Sequence, residues 1–251
     1  MMTKSEKGFW TANALRKDIG IDELQEIDLN CIVRLLNINV KHIFLGDGID
    51  GACKSLGLKR LVVLNPYLKK CPKRERFTLA HEIGHLLMHY DSYICKQDCF
   101  YIYKTQNDKE LEANDFAGQL LLPKQAVVNI LEKNDLTFQL IKQIAEKYNI
   151  SLLVAAISLT KLFRFDAIFL VHDGKKVFWK VRSKDCYLEI PGFVDEQVLA
   201  RKTNAKNTQI KGNVNPQFWI NDEDECLGCE EESVYSPTWG RYMTLLKFYD
   251  A

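Results

Sequence analysis

Residues 81–85 of the 251-residue chain read His-Glu-Ile-Gly-His, a spacing that carries a defined chemistry. On an α-helix, positions four apart differ by about 400° of rotation and about 6 Å of rise, so His81 and His85 project from one face towards one ion. Glu82 is rotated by about 100° from His81 and cannot join that pair, yet its carboxylate can reach a water that such an ion activates. Zinc brings the pKa of that water down towards about 7. A carboxylate beside it can then take the proton as the water attacks a peptide carbonyl, and hand it on to the leaving amine. The flanks Leu79-Ala80 and Leu86-Leu87 are uncharged, as a helix beneath a catalytic cleft requires. The bland alternative, two core histidines and an exposed glutamate, fits poorly with so apolar a stretch.

A third histidine, His89, continues the ladder at the same interval. It lies about 12 Å along the axis from His81, too far for one ion to touch both, and reads as a packed or hydrogen-bonded residue at the helix end. A third metal ligand must therefore come from elsewhere. Downstream, Glu110-Leu-Glu112-Ala-Asn114-Asp115-Phe116-Ala117 opens an amphipathic helix with an acidic first turn. Either Glu110 or Glu112 could point at the metal, and both could equally do no more than complement the helix dipole.

The elements that must hold these residues can be read around them. Leu24, Ile27, Leu29, Ile32 and Leu35 recur at helical spacing within residues 22–40. Short runs at His42–Leu45 and Leu58–Leu64, separated by the turn-rich Gly-Asp-Gly-Ile-Asp-Gly, read as strands of a small sheet. Pro72 suits a helix start, and no further Pro interrupts the segment through His89. Further helices are expected over Asp108–Leu122, Lys124–Glu132 and Phe138–Tyr148, with Ser151 capping one more. After about residue 164 the texture becomes β-like. Ala167–Val171, Asp173-Gly174 and Val177–Val181 form a hairpin pattern, and shorter runs follow at Tyr187–Ile190, Gln217–Ile220 and Tyr242–Lys247. The expected architecture is α+β: a mostly helical domain with a small N-terminal sheet over residues 1–163, then a smaller β-rich part over 164–251 without an assigned role.

Composition bounds the rest. The chain is 47% hydrophobic and 27% charged, which excludes disordered and low-complexity classes. Its 34 basic and 33 acidic residues leave a charge of +1, so no global field steers it to nucleic acid or an anionic membrane. The apolar stretches Leu61–Leu64 and Leu152–Leu159 are far shorter than the ~20 residues of a spanning helix. The charged N-terminus has no apolar signal region, so a cytoplasmic protein is expected. Eight cysteines in a large chain of this kind read as reduced thiols, although Cys95, Cys99, Cys226 and Cys229 have spacings that a structural zinc site could use. Locally, a basic run over Lys59–Arg76 and an acidic run over Asn221–Glu232 read as solvated stretches, with the sharper alternative that the acidic run covers a basic approach to the site.

Three motifs occur in order: Arg76-Phe-Thr-Leu-Ala-His81-Glu82-Ile-Gly-His85-Leu86, then Glu110-Leu-Glu112-Ala-Asn114-Asp-Phe116-Ala117, then Leu121-Leu-Pro123. Over roughly residues 24–160 the chain thereby resembles the ImmA/IrrE family of zincin-like metallopeptidases. The resemblance implies a Zn2+ cofactor held by His81, His85 and Glu112, with Glu110 the alternative third ligand and Glu82 the general base. It also implies a protein substrate, a helix-turn-helix transcriptional repressor, and a helix-turn-helix-like segment over about 136–163. That second helix, Ser-Leu-Leu-Val-Ala-Ala-Ile-Ser-Leu-Thr-Lys, is too apolar to read bases, so direct nucleic-acid binding is not expected, nor is membrane association.

Overall fold

A computed structural model of the protein describes residues 6–21, 25–89, 93–96, 107–198, 200, 209–220, 227–237 and 239–250. The fold is α+β, and the described residues form two separate sheets of four and five strands. The chain packs as two compact units, residues 1–126 with 144–154 and residues 127–143 with 155–251. The divide falls inside three helices, whereas the β-rich texture begins later, at Ala167.

In the first unit, α1 (Glu6–Asp18) and α2 (Leu29–Leu35) precede a sheet of β1 (Ile38–His42), β2 (Ile49–Leu56), β3 (Lys59–Leu64) and β4 (Tyr93–Lys96) in the order β1-β3-β2-β4. β1 runs parallel to β3, and β2 is antiparallel to both β3 and β4. The helical spacing within residues 22–40 becomes α2 over Leu29–Leu35, and Asn37, at a positive φ of 50°, then turns the chain into β1. The first strand is therefore Ile38–His42 and not His42–Leu45. Between turns at Gly48 (φ 76°) and Gly57 (φ 62°), the glycine-rich stretch continues into strand β2, which composition alone marks only as a turn.

α3 (Pro72–Met88) crosses the inner face of this sheet, where Cys53, Val62 and Leu64 are buried. α4 (Asp108–Leu121) starts at the Asn107 cap, whose side chain accepts from Lys109 N–H at 3.1 Å, and stops before Pro123. α3 meets α4 at Gly84, where an added Cβ would lie 2.8 Å from the Phe116 ring. α1 meets α4 more closely still at Gly8, where a Cβ would lie 2.2 Å from the Glu112 carbonyl oxygen. Two glycines thus let α1 close on the α4 backbone and α3 close on the Phe116 ring.

The basic run over Lys59–Arg76 is largely consumed within this unit. Arg74 makes a forked pair with buried Asp50 at 2.7–3.0 Å, Arg60 donates to Leu36 O, and Arg76 donates to Ile27 O. Lys73 donates to Ala145 O. A solvated basic approach does not describe these four side chains.

α5 (Lys124–Leu131), α6 (Phe138–Lys147) and α7 (Leu152–Leu162) follow as the sequence suggests. The turn between α6 and α7 is at Asn149 (φ 50°), and Ser151 Oγ accepts from Val154 N–H at 3.2 Å.

The second unit is built on β5 (Ala167–His172), β6 (Val177–Arg182), β7 (Gln209–Val214), β8 (Leu227–Ser236) and β9 (Arg241–Asp250), in the order β6-β5-β9-β8-β7, all antiparallel. The Asp173-Gly174 turn joins β5 to β6, with Gly174 at φ 88°. Residues 187–190 and 217–220 are not strands; Pro216–Phe218 is a short 3-10 helix that inserts Trp219 and Ile220 into the core. β8 runs through the described end of the acidic segment, where Glu231 and Glu232 are buried and not solvated. The first six residues of that segment, 221–226, lie outside the described residues. No helix among the described residues is long and apolar enough to cross a membrane.

Candidate metal centre

His81, Glu82 and His85 all sit on the buried middle of α3. The two imidazoles face one another as the four-residue spacing requires, with ring centroids 4.7 Å apart and Nε2 atoms 2.9 Å apart. Glu110, in the first turn of α4, closes the triangle: its Oε2 lies 3.2 Å from His81 Nε2 and its Oε1 3.4 Å from His85 Nε2. One ligand atom from each of the three lies within 4.8 Å of the others, and this is the one such group of potential metal ligands among the described residues.

Glu112 goes elsewhere. Its Oε2 lies 2.8 Å from His89 Nε2 and 3.4 Å from Lys7 Nζ. The resemblance points first to Glu112 as third ligand, but the geometry places Glu110 beside both imidazoles and Glu112 beside the third histidine. The reason is register on α4. Glu110 and Asn114 are one turn apart on a single face, and both meet His81, Asn114 Oδ1 lying 2.9 Å from its Nδ1. Glu112, two positions on, is turned by about 200° from Glu110.

Proton positions around the triangle follow from its neighbours. A carboxylate can only accept, so His89 donates from Nε2 to Glu112 and, as a neutral ring, carries no proton on Nδ1. His85 Nδ1 lies 2.9 Å from that accepting nitrogen and must carry the proton, which leaves His85 Nε2 unprotonated. His81 donates from Nδ1 to the Asn114 oxygen and is likewise unprotonated at Nε2. Two lone pairs and a carboxylate therefore converge on one point.

Electrostatics agree. Burial pushes the His85 pKa down to about 4, so the neutral, ligating form holds at neutral pH. Burial also lowers His89. For Glu110, burial works in the raising direction and the adjoining His81 and His85 in the lowering one, and the net direction is down. Two neutral imidazoles and one ionised carboxylate are the donor set of a catalytic zinc site, and a divalent cation fits these residues. Glu82 is fully buried beside them. Its carboxylate lies against β2: a Cβ added to Gly51 would come within 2.7 Å of Glu82 Oε1.

Among the other expected site features, Cys229 is buried in the core of the second unit, where burial first and then Glu231 and Glu230 raise its thiol pKa. Cys99, Cys226 and the Cys95 side chain lie outside the described residues. Asn114 and the His89–Glu112 contact are not assigned by sequence reasoning, although the i, i+4 relation of Glu110 and Asn114 is a signal that could have found the former.

Residues 37–160 match the model of a peptidase family described as the IrrE N-terminal-like domain. Over 142 residues the chain is 28% identical to the radiation response metalloprotease IrrE of Deinococcus radiodurans, an alignment that covers 56% of this chain and 42% of that protein. The chain thus matches less than half the length of that curated relative. A solved Mycobacterium tuberculosis transcriptional regulator shares its fold, with a TM-score of 0.56 over 98% of this chain and 76% of the other at 13% identity.

Proposed function

Since residues 37–160 belong to the IrrE N-terminal-like peptidase family and form a metallopeptidase-like domain, we propose that this chain is a zinc-dependent endopeptidase that hydrolyses a peptide bond in one specific protein. The observation that carries this reading is the convergence of His81 Nε2, His85 Nε2 and the Glu110 carboxylate, with Glu82 buried on the same helix.

In this reading His81, His85 and Glu110 hold the metal. The chemistry supplied there by bound zinc is Lewis acidity towards a carbonyl oxygen and towards water. Glu82 takes the proton of the attacking water and delivers it to the leaving nitrogen, and its seat against Gly51 of β2 fixes where that carboxylate acts. Asn114 holds the Nδ1 proton of His81 and so orients that ring. The substrate is a helix-turn-helix transcriptional repressor, a reading supported by the family resemblance and consistent with a near-neutral chain that acts on DNA only through another protein.

Glu82→Gln separates catalysis from binding. The variant should keep its zinc, because Glu82 lies outside the ligand triangle, and lose cleavage of the repressor encoded beside its gene. Wild type that relieves repression at full zinc loading while every neighbouring repressor stays intact would replace the peptidase reading by a binding-only regulator.

A further inference from the structure

We infer that His89 and Glu112 are positioning residues for the metal centre: through two hydrogen bonds in series they hold the proton of His85 on Nδ1 and keep its Nε2 directed at the ion. The inference rests on the reading in which His81, His85 and Glu110 are the ligands.

The chain of contacts is short and continuous. Glu112 Oε2 accepts from His89 Nε2–H at 2.8 Å, and His89 Nδ1 accepts from His85 Nδ1–H at 2.9 Å. His85 and His89 are buried, with ring centroids 5.0 Å apart. Each end of the relay is anchored. His89 caps α3, and its backbone N–H bonds His85 O at 2.8 Å, so the ring leaves the helix axis at a fixed angle. Glu112 is held from α1, where Lys7 Nζ lies 3.4 Å from the same carboxylate oxygen and also donates to Met88 O at 3.1 Å. The close approach of Gly8 to the Glu112 carbonyl sets the distance between α1 and α4 at this point.

A carboxylate behind a ligating imidazole fixes its tautomer and orientation and raises its basicity, and loss of such a partner typically lowers metal affinity about 10–100-fold. In this chain the carboxylate acts through a second imidazole. One relay thus explains two observations: why the histidine ladder runs a third step beyond the motif, and why a second acid follows Glu110 yet points away from the ligand triangle.

The test is zinc affinity, measured by competition with a chelator of known affinity on the full chain. His89→Ala and Glu112→Ala should each weaken zinc binding by about 10–100-fold at unchanged stoichiometry. The double variant should lose no more than the larger single loss, because both substitutions break one relay. Glu112→Gln, whose amide oxygen can still accept from His89, should retain most of the affinity. Wild-type affinity in His89→Ala would overturn the inference. So would zinc stoichiometry abolished in Glu112→Ala and kept in His89→Ala, which would make Glu112 a ligand. Full affinity in Glu110→Ala would instead sink the underlying ligand assignment. If the alanine variants fail to fold, long-range 1H–15N correlation spectra of zinc-free wild type decide the matter. His85 should carry its proton on Nδ1 and His89 on Nε2, and an Nε2–H tautomer at His85 would contradict the relay.

Discussion

Each unit of this protein buries a histidine connected to a glutamate by hydrogen bonds, and the two differ in how the connection ends. In the second unit that histidine is His172. Its Nδ1 accepts from the Gly174 N–H at 3.1 Å, and its Nε2 donates to Thr244 Oγ1 at 2.9 Å. Thr244 meets Ser233 Oγ at 2.7 Å, and Ser233 donates to Glu231 Oε1 at 2.9 Å. Glu231 also accepts from Ala200 N–H and Trp219 Nε1–H. Each acceptor in that chain has a donor, so the network is complete as protein. In the first unit, the relay from Glu112 through His89 to His85 ends on a lone pair that faces another lone pair and a carboxylate. Burial of charge is common to both. The candidate metal centre differs in bringing three potential ligand atoms, from His81, His85 and Glu110, within 4.8 Å of one another.

The largest effect is expected in the second unit. Glu231→Ala strands the Ala200, Trp219 and Ser233 donors in the core and should destabilise the protein by about 3–5 kcal/mol in urea unfolding, with zinc stoichiometry unchanged in the folded fraction. A loss under about 1 kcal/mol would mean that the network is not structural. In the first unit, Gly51→Ala pushes a methyl group against the Glu82 carboxylate and should cut turnover by about 100-fold while zinc affinity holds. Unchanged turnover would place the general base elsewhere.

The smallest effect belongs to the surface of the second sheet. Burial works to raise the Glu230 pKa, but ion pairs with Lys247 (2.9 Å) and Lys211 (3.1 Å) outweigh it and bring it below its ordinary value. A carboxylate with a depressed folded-state pKa contributes stability that is present above its unfolded value and lost as pH falls through the folded one. Wild type should therefore exceed Glu230→Gln by about 0.5 kcal/mol at neutral pH, after solvent screening, and the gap should close in acid. A gap that widens as the pH falls would reverse the sign of this account.

The convergence of His81 and His85 was legible because helical periodicity alone fixes which of His81, Glu82 and His85 share a face. The choice between Glu110 and Glu112 was not, because both flank the same helix start and only the crossing of α4 over α3 decides which reaches the imidazoles. β2 was hidden because Gly46 and Gly48 do turn the chain at positive φ, while the third glycine, Gly51, lies inside the strand and serves close approach to α3. β8 was hidden for the opposite reason: three consecutive glutamates read as solvent-facing, yet Glu231 is satisfied in the core, and Glu232 accepts from Phe138 N–H at 3.0 Å and from Gln209. A strand that buries acids is invisible to hydrophobic patterning.

Equilibrium zinc titration of the metal-free protein tests the central claim most directly, with wild type, Glu110→Ala and Glu231→Gln compared side by side. One zinc per chain is expected in wild type and in Glu231→Gln, and loss of tight binding in Glu110→Ala. Zinc bound as tightly by Glu110→Ala as by wild type would contradict the account.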